Sequence, residues 1–199
     1  MDSLYVYCFI SRNKDNKNIK GFKTRSKSIL AYAEDFDKIK KEFKEWAAAG
    51  VPGERTRLYR TLNARAEDKI RDAFIVHLIK NKPLTTTKSY SNLLPSIAMK
   101  SECRGESKWM FDFDIDDEEL VDVFIYDIKK ITTIYWDENQ EHVAVSGIKA
   151  KKYKTPNGYA IVVPHGFDTR NLLKKWEGYD ITLKKDDLLF LNMIQKEVE

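Results

Sequence analysis

With 199 residues, 42% of them hydrophobic and 12% aromatic, the chain is long and apolar enough to bury a sizeable core, which excludes a disordered protein. A mean hydropathy of −0.54 and 33% charged residues describe a polar surface, and the apolar runs are too short to cross a bilayer as helices. The net charge of +4 is mild, but clustered Lys and Arg keep an anionic partner in play, while two cysteines exclude a disulfide framework and a Cys-based zinc site.

Met1-Asp2-Ser3 lacks the basic start of a secretory signal and residues 4–10 read as a strand, so a cytoplasmic location without membrane association is expected. Residues 11–23, rich in Lys and Asn and containing Gly21, read as a mobile basic loop. A helix is expected over about 28–49, with Phe36, Ile39, Phe43 and Trp46 on one stripe and Gly50 and Pro52 as its stop. Residues 55–62 read as a strand with Arg57 and Tyr59 on one face and Leu58 and Leu62 on the other. Arg55, Arg57, Arg60 and Arg65, interleaved with Tyr59, form a basic and aromatic group of the kind that meets phosphates and stacks on bases; solvated charge is the equal alternative. Residues 67–80 read as an amphipathic helix, in which His77 is an ordinary interface residue. Pro83, Pro95 and a threonine run make 82–104 irregular, with one short helix near 92–100.

The stretch KWMFDFDIDD at 108–117 carries the most chemistry. Phe111, Phe113 and Ile115 alternate with Asp112, Asp114 and Asp116, which in a strand places the carboxylates on one face. Like charges so close repel, and an unpaired buried carboxylate is costly, so a counter-charge is required. Hard oxygen donors at this spacing suit Mg²⁺ or Mn²⁺. Asp116 and Asp117 fit better as an acidic entry to a helix over about 116–130. A calcium loop fails, because Asp117 stands where Gly is needed and Val123 where Glu is needed.

Strands follow at 131–136 and 143–148, joined by a polar turn at 137–140. In KAKKYKTPNGYAIVVPHGFDTR, at 149–170, Pro156-Asn157-Gly158 makes a tight turn into a strand at 159–163, with Lys151, Lys152 and Lys154 upstream. Turn amides beside lysines suit a triphosphate or a nucleic-acid backbone; a plain basic hairpin is the alternative at this point. Asp168 caps a helix through Trp176, Gly178 ends it, and 179–183 is a strand in which Asp180 is a candidate third acid. Residues 188–194 form a last apolar segment.

In order and spacing these parts resemble the catalytic domain of the archaeo-eukaryotic primase (primase-polymerase) superfamily. Phe111-Asp112-Phe113-Asp114 is similar to its hDhD strand, Thr155-Pro156-Asn157-Gly158-Tyr159-Ala160 to its turn and second-motif strand, and Tyr179-Asp180 to its third motif, over residues 108–183. Where the family has a His on the strand after the turn, this chain has Ala160, which can neither bind phosphate nor move a proton. Lost activity, an engineered substitution and a shifted alignment all account for it. His165 lies five residues further on, about 16 Å along a straight strand.

The resemblance implies an α/β (α+β) fold with a central, mainly antiparallel sheet flanked by helices, as one domain over 1–199 with an N-terminal part at 1–107 and a site core at 108–185. It further implies metal-dependent nucleotidyl transfer in DNA replication, with nucleic acid, NTPs or dNTPs and replication proteins as partners. Asp112, Asp114 and Asp180 would be both metal ligands and catalytic residues. Lys151, Lys152, Lys154, Asn157, Gly158 and the Ala160 position would face nucleotide, and Arg57, Tyr59 and Arg60 would guide the strand. Two other readings remain: a two-metal nuclease or phosphodiesterase, and a nucleic-acid-binding module whose acids are structural.

Overall fold

A computed structural model describes the backbone of residues 3–80, 87–136 and 142–197, and the side chains of these residues except at 87–90, 132–136 and 142–146. In chain order the elements begin β1 (Leu4–Ser11), β2 (Arg25–Tyr32), α1 (Phe36–Ala48), β3 (Arg55–Thr61), α2 (Glu67–Lys80), α3 (Thr87–Ala98), β4 (Trp109–Phe113) and α4 (Glu118–Lys129). They continue β5 (Thr132–Trp136), β6 (His142–Ser146), β7 (Lys151–Lys154), β8 (Tyr159–Val163), α5 (Arg170–Lys175), β9 (Ile181–Lys184) and β10 (Leu188–Gln195). The paired strands all run antiparallel, so the chain has the expected α+β class. Among the described residues no helix is long and apolar enough to cross a membrane.

Two compact units result: Met1–Glu106 with Leu188–Glu199, and Ser107–Asp187. In the first, the sheet order is β10-β3-β1-β2. Both faces of β1 are covered. Tyr5, Tyr7 and Phe9 pack with Ile39 and Phe43 of α1, while Leu4, Val6 and Cys8 pack with Ile70 of α2 and with Ile97 and Ala98 of α3. Burying each of the larger aliphatic and Phe side chains among these contributes about 1.5–3 kcal/mol. Cys8 and Cys103 are free, buried thiols.

The helix expectations need correction in three places. The segment from 28 is strand β2 rather than the start of a helix, and the α-helix begins at Phe36. Ile29 and Ala31 serve one core while Leu30 and Tyr32 serve the other, so this doubly covered strand shows no polar alternation and mimics a helical apolar run. The 12-residue α3 is longer than the short helix expected and carries Pro95 inside it. The helix after Asp168 is shorter than expected, and its N-cap, Thr169, makes no side-chain cap bond; Asp168 instead accepts from the Arg170 amide at 3.1 Å. The expected turn at 137–140 lies outside the described residues.

The 11–23 segment is pinned rather than slack. Buried Asn16 donates through Nδ2 to Ser11 Oγ, Arg12 O and Arg55 O, and its Oδ1 accepts from the Arg55 amide at 2.6 Å. Asp15 accepts from Arg12 at 3.0 Å and from Arg57 at 2.6 Å.

In the second unit the sheet order is β7-β8-β4-β9, with β5 and β6 forming a separate two-stranded ribbon. Phe111 and Phe113 of β4 and Ile161 and Val163 of β8 point to a core closed by Val121, Phe124 and Ile128 of α4, Leu172 of α5, and Trp176. Asp117 caps α4 by accepting from the Leu120 amide at 3.0 Å, as its acidic entry predicts.

Candidate functional site

Directly opposed residues of an antiparallel pair share one face of the sheet. Asp112 of β4 lies opposite Ala160 of β8 on one side and Thr182 of β9 on the other, and Ala160 in turn lies opposite Tyr153 of β7. The three segments singled out in the sequence thus occupy adjacent strands with β4 in the middle. This face is the one turned away from the Phe111 and Phe113 core. Ala160 is buried, Thr182 exposed, and the Asp112 side chain keeps 25% of its surface open.

Asp114 lies one residue past the end of β4 and is exposed, as is Asp180. The Asp114 amide donates to the Asp180 carbonyl at 3.2 Å, so the two acids are tied through backbone next to the β4 end. Gly158 is packed against the same end. A Cβ there would overlap the Phe113 carbonyl oxygen and approach Ile115 N and O at 2.8 Å, so only glycine lets the turn close on β4. Thr155 N donates to Gly158 O at 2.9 Å across the turn, and Asn157 at its tip is exposed.

The counter-charge demanded by Asp112 is supplied by a side chain that sequence reasoning missed. Lys184 Nζ lies 2.9 Å from Asp112 Oδ2 and 3.0 Å from Asp187 Oδ2. Burial disfavours its charged form, yet the hydrogen bonds it donates to Asp112 and Asp187 outweigh that and hold the ammonium above its usual pKa. Lys184 alternates with Thr182 along β9 and so belongs to the Asp112 face. That alternation was visible in the sequence; the pairing of β9 with β4 was not.

Two expected groups are divided by the sheet. Lys151 is exposed and shares the Asp112 face, its strand partner Val162 lying opposite Met110. Lys152 and Lys154 point the other way, because alternation carries them to the α4 side. Lys152 binds Asp122 at 2.6 Å and Glu118 at 2.7 Å, and Lys154 binds Asp116, so both are occupied by acids of the α4 entry. These hydrogen bonds raise both lysine pKa values. Arg57, Tyr59 and Arg60 do not form one surface either. Arg57 is buried against Asp15 with its Nη1 3.4 Å from the Tyr59 hydroxyl, whereas Arg60 lies on the opposite face, 4.1 Å over the Tyr5 ring. His165 lies beyond Val163, which pairs with Trp109, and so at the far end of β8 from the Asp112 rung.

Among the described residues no group of three or more His, Cys, Asp or Glu is placed to hold a metal ion. The donor set is therefore not an all-protein cage. It does fit the way Mg²⁺ is commonly carried, by one or two carboxylates with the remaining positions filled by water and substrate phosphates. Asp112 already lies beside a cation, the Lys184 ammonium, and Asp114, two residues further on, is exposed. Comparison of the chain with models of known protein families, with curated proteins and with solved structures gives no match.

Proposed function

We propose that the Ser107–Asp187 unit binds a nucleoside triphosphate together with Mg²⁺ or Mn²⁺ and acts as a primase-type nucleotidyltransferase on nucleic acid. The reading rests on one observation: β4, which carries Asp112, is flanked by the strand of the Gly158 turn and by the strand that follows Asp180. Asp112 and Asp114 would hold the ion, which when bound polarises the phosphate for attack. Lys184, displaced from Asp112, would turn its ammonium to phosphate oxygens. Gly158 lets the turn approach β4 closely enough to present its amides, and Lys151 adds positive charge on the same face.

A second reading is favoured by Ala160 and by the Asp112–Lys184 pair: a nucleic-acid-binding module that keeps the sheet without the chemistry. Incubation with labelled template and primer, NTPs or dNTPs and Mn²⁺ separates the two, using this chain, Asp112→Asn and Ala160→His. Residue 160 faces Asp112 directly, so an imidazole there stands within reach of the same phosphate. Extension that is lost in Asp112→Asn and strengthened in Ala160→His supports the transferase. Shortened substrate identifies a phosphodiesterase. Salt-sensitive binding without product in any of the proteins leaves the non-catalytic module.

A further inference from the structure

The segment between β1 and β2 has a periodicity that neither the sheet nor the Asp112 site explains. Successive three-residue turns link it: Asn16 N donates to Asn13 O, Ile19 N to Asn16 O, and Phe22 N to Ile19 O, at 3.0–3.2 Å. Asn16, Ile19 and Phe22, the closing residue of each turn, are buried or half-buried. Lys14, Lys17 and Lys20 each follow the first residue of a turn, Lys23 continues the spacing, and all four are exposed. Two period-three sets thus interleave, one directed inward and one outward. The only acid in the segment, Asp15, is consumed by Arg12 and Arg57, and none of the four lysines has an ion-pair partner among the described residues. Asn16 and Asp15 anchor the turns to β3, so much of the ordering entropy of this cationic row is already lost before a ligand arrives.

We infer that Lys14, Lys17, Lys20 and Lys23 form a preorganised binding row for the phosphate backbone of a nucleic acid. Ammonium groups recurring every third residue on a pinned backbone suit a polyanion whose charges also recur along a chain, and point-charge contacts of this kind carry no base preference. An anionic membrane is the less suitable polyanion, because the apolar residues of the segment, Ile19 and Phe22, are turned inward and leave no apolar face to enter a bilayer. The inference does not depend on chemistry at Asp112.

The test is fluorescence anisotropy of a labelled short DNA duplex with the full chain over a series of salt concentrations. The triple variant Lys14→Ala, Lys17→Ala, Lys20→Ala is expected to bind about tenfold or more weakly at low salt, with the slope of log affinity against log salt reduced by roughly two to three. The corresponding triple Arg variant retains the affinity. An unaltered circular dichroism spectrum and melting temperature for the triple Ala variant tie the loss to charge. Absence of salt-dependent binding by the unsubstituted chain, an unchanged slope in the triple Ala variant, or loss of affinity in the Arg variant overturns the inference. So does a triple Ala variant that loses binding to phosphatidylserine vesicles while keeping its affinity for the duplex.

Discussion

Lys184 of β9 reaches Asp112 of β4 diagonally, at 2.9 Å, because the register places Thr182 and not Lys184 directly opposite the carboxylate. Diagonal neighbours on adjacent strands stand within range of a long side chain, and a lysine stem spans that gap with its ammonium partly shielded from water. Lys184→Met is therefore expected to destabilise the protein by about 1 kcal/mol, read as a lower urea midpoint. The raised lysine pKa sets the sign with pH: the contribution is complete below the unfolded value of about 10.4 and is lost as pH rises through the folded value. The gap between the two proteins should close in strong alkali; a gap that widens there contradicts the pairing.

Gly158 tests how tightly the turn meets β4. Gly158→Ala forces a methyl into the Phe113 carbonyl, backbone against backbone, so neither side can relax cheaply. A loss of about 1–3 kcal/mol or more is expected in chemical denaturation. An Ala variant with an unchanged midpoint means that the turn does not close on the strand.

Asn16→Ala removes three donated hydrogen bonds and one accepted bond from a buried position and strands the Arg55 carbonyl and amide. Leaving such groups unsatisfied costs about 1–3 kcal/mol each, and a total of about 3 kcal/mol is expected. Hydrogen exchange is the sharper readout. The Ile19 and Phe22 amides should lose protection in the variant, and protection equal to that of the unsubstituted chain assigns the ordering of the turns to another contact.

Glu54 gives the first unit an acid-sensitive contact. It is 2% exposed, with Oε1 2.6 Å from Arg25 Nε and Oε2 accepting from the Val51 amide at 2.8 Å. Burial raises its pKa, but hydrogen bonds from Ser11, Arg25 and the Val51 amide outweigh this and leave it lowered. The stabilisation is present above the unfolded value of about 4.3 and is lost as pH falls through the folded one. Denaturation midpoints should fall with acidification in this range, and less steeply for Glu54→Gln. Parallel curves for the two proteins rule Glu54 out as the source.

Strands β1, β3, β4 and β8 were legible because each is a short run holding aromatic or β-branched residues between turn signals. β2 was not, since its apolar run passes into α1 with no Gly or Pro between Ser28 and Ala49 to mark the break. The central acids were legible for the converse reason: Asp112 between Phe111 and Phe113 demands a counter-charge wherever it is found. What neutralises it was not. Lys184 is 72 positions downstream, and only the β4 and β9 register places it there. The lysines of β7 illustrate a third limit. They are three residues within a four-residue strand, yet alternation sends Lys151 to one face and Lys152 and Lys154 to paired acids on the other.

The sheet order β10-β3-β1-β2 has a consequence during translation. The outer edge of β3 is completed by residues made more than a hundred positions later, after every strand of the Ser107–Asp187 unit has been synthesised. On the ribosome the later-coded unit can close first, while the earlier one waits with an unzipped edge for Leu188–Gln195.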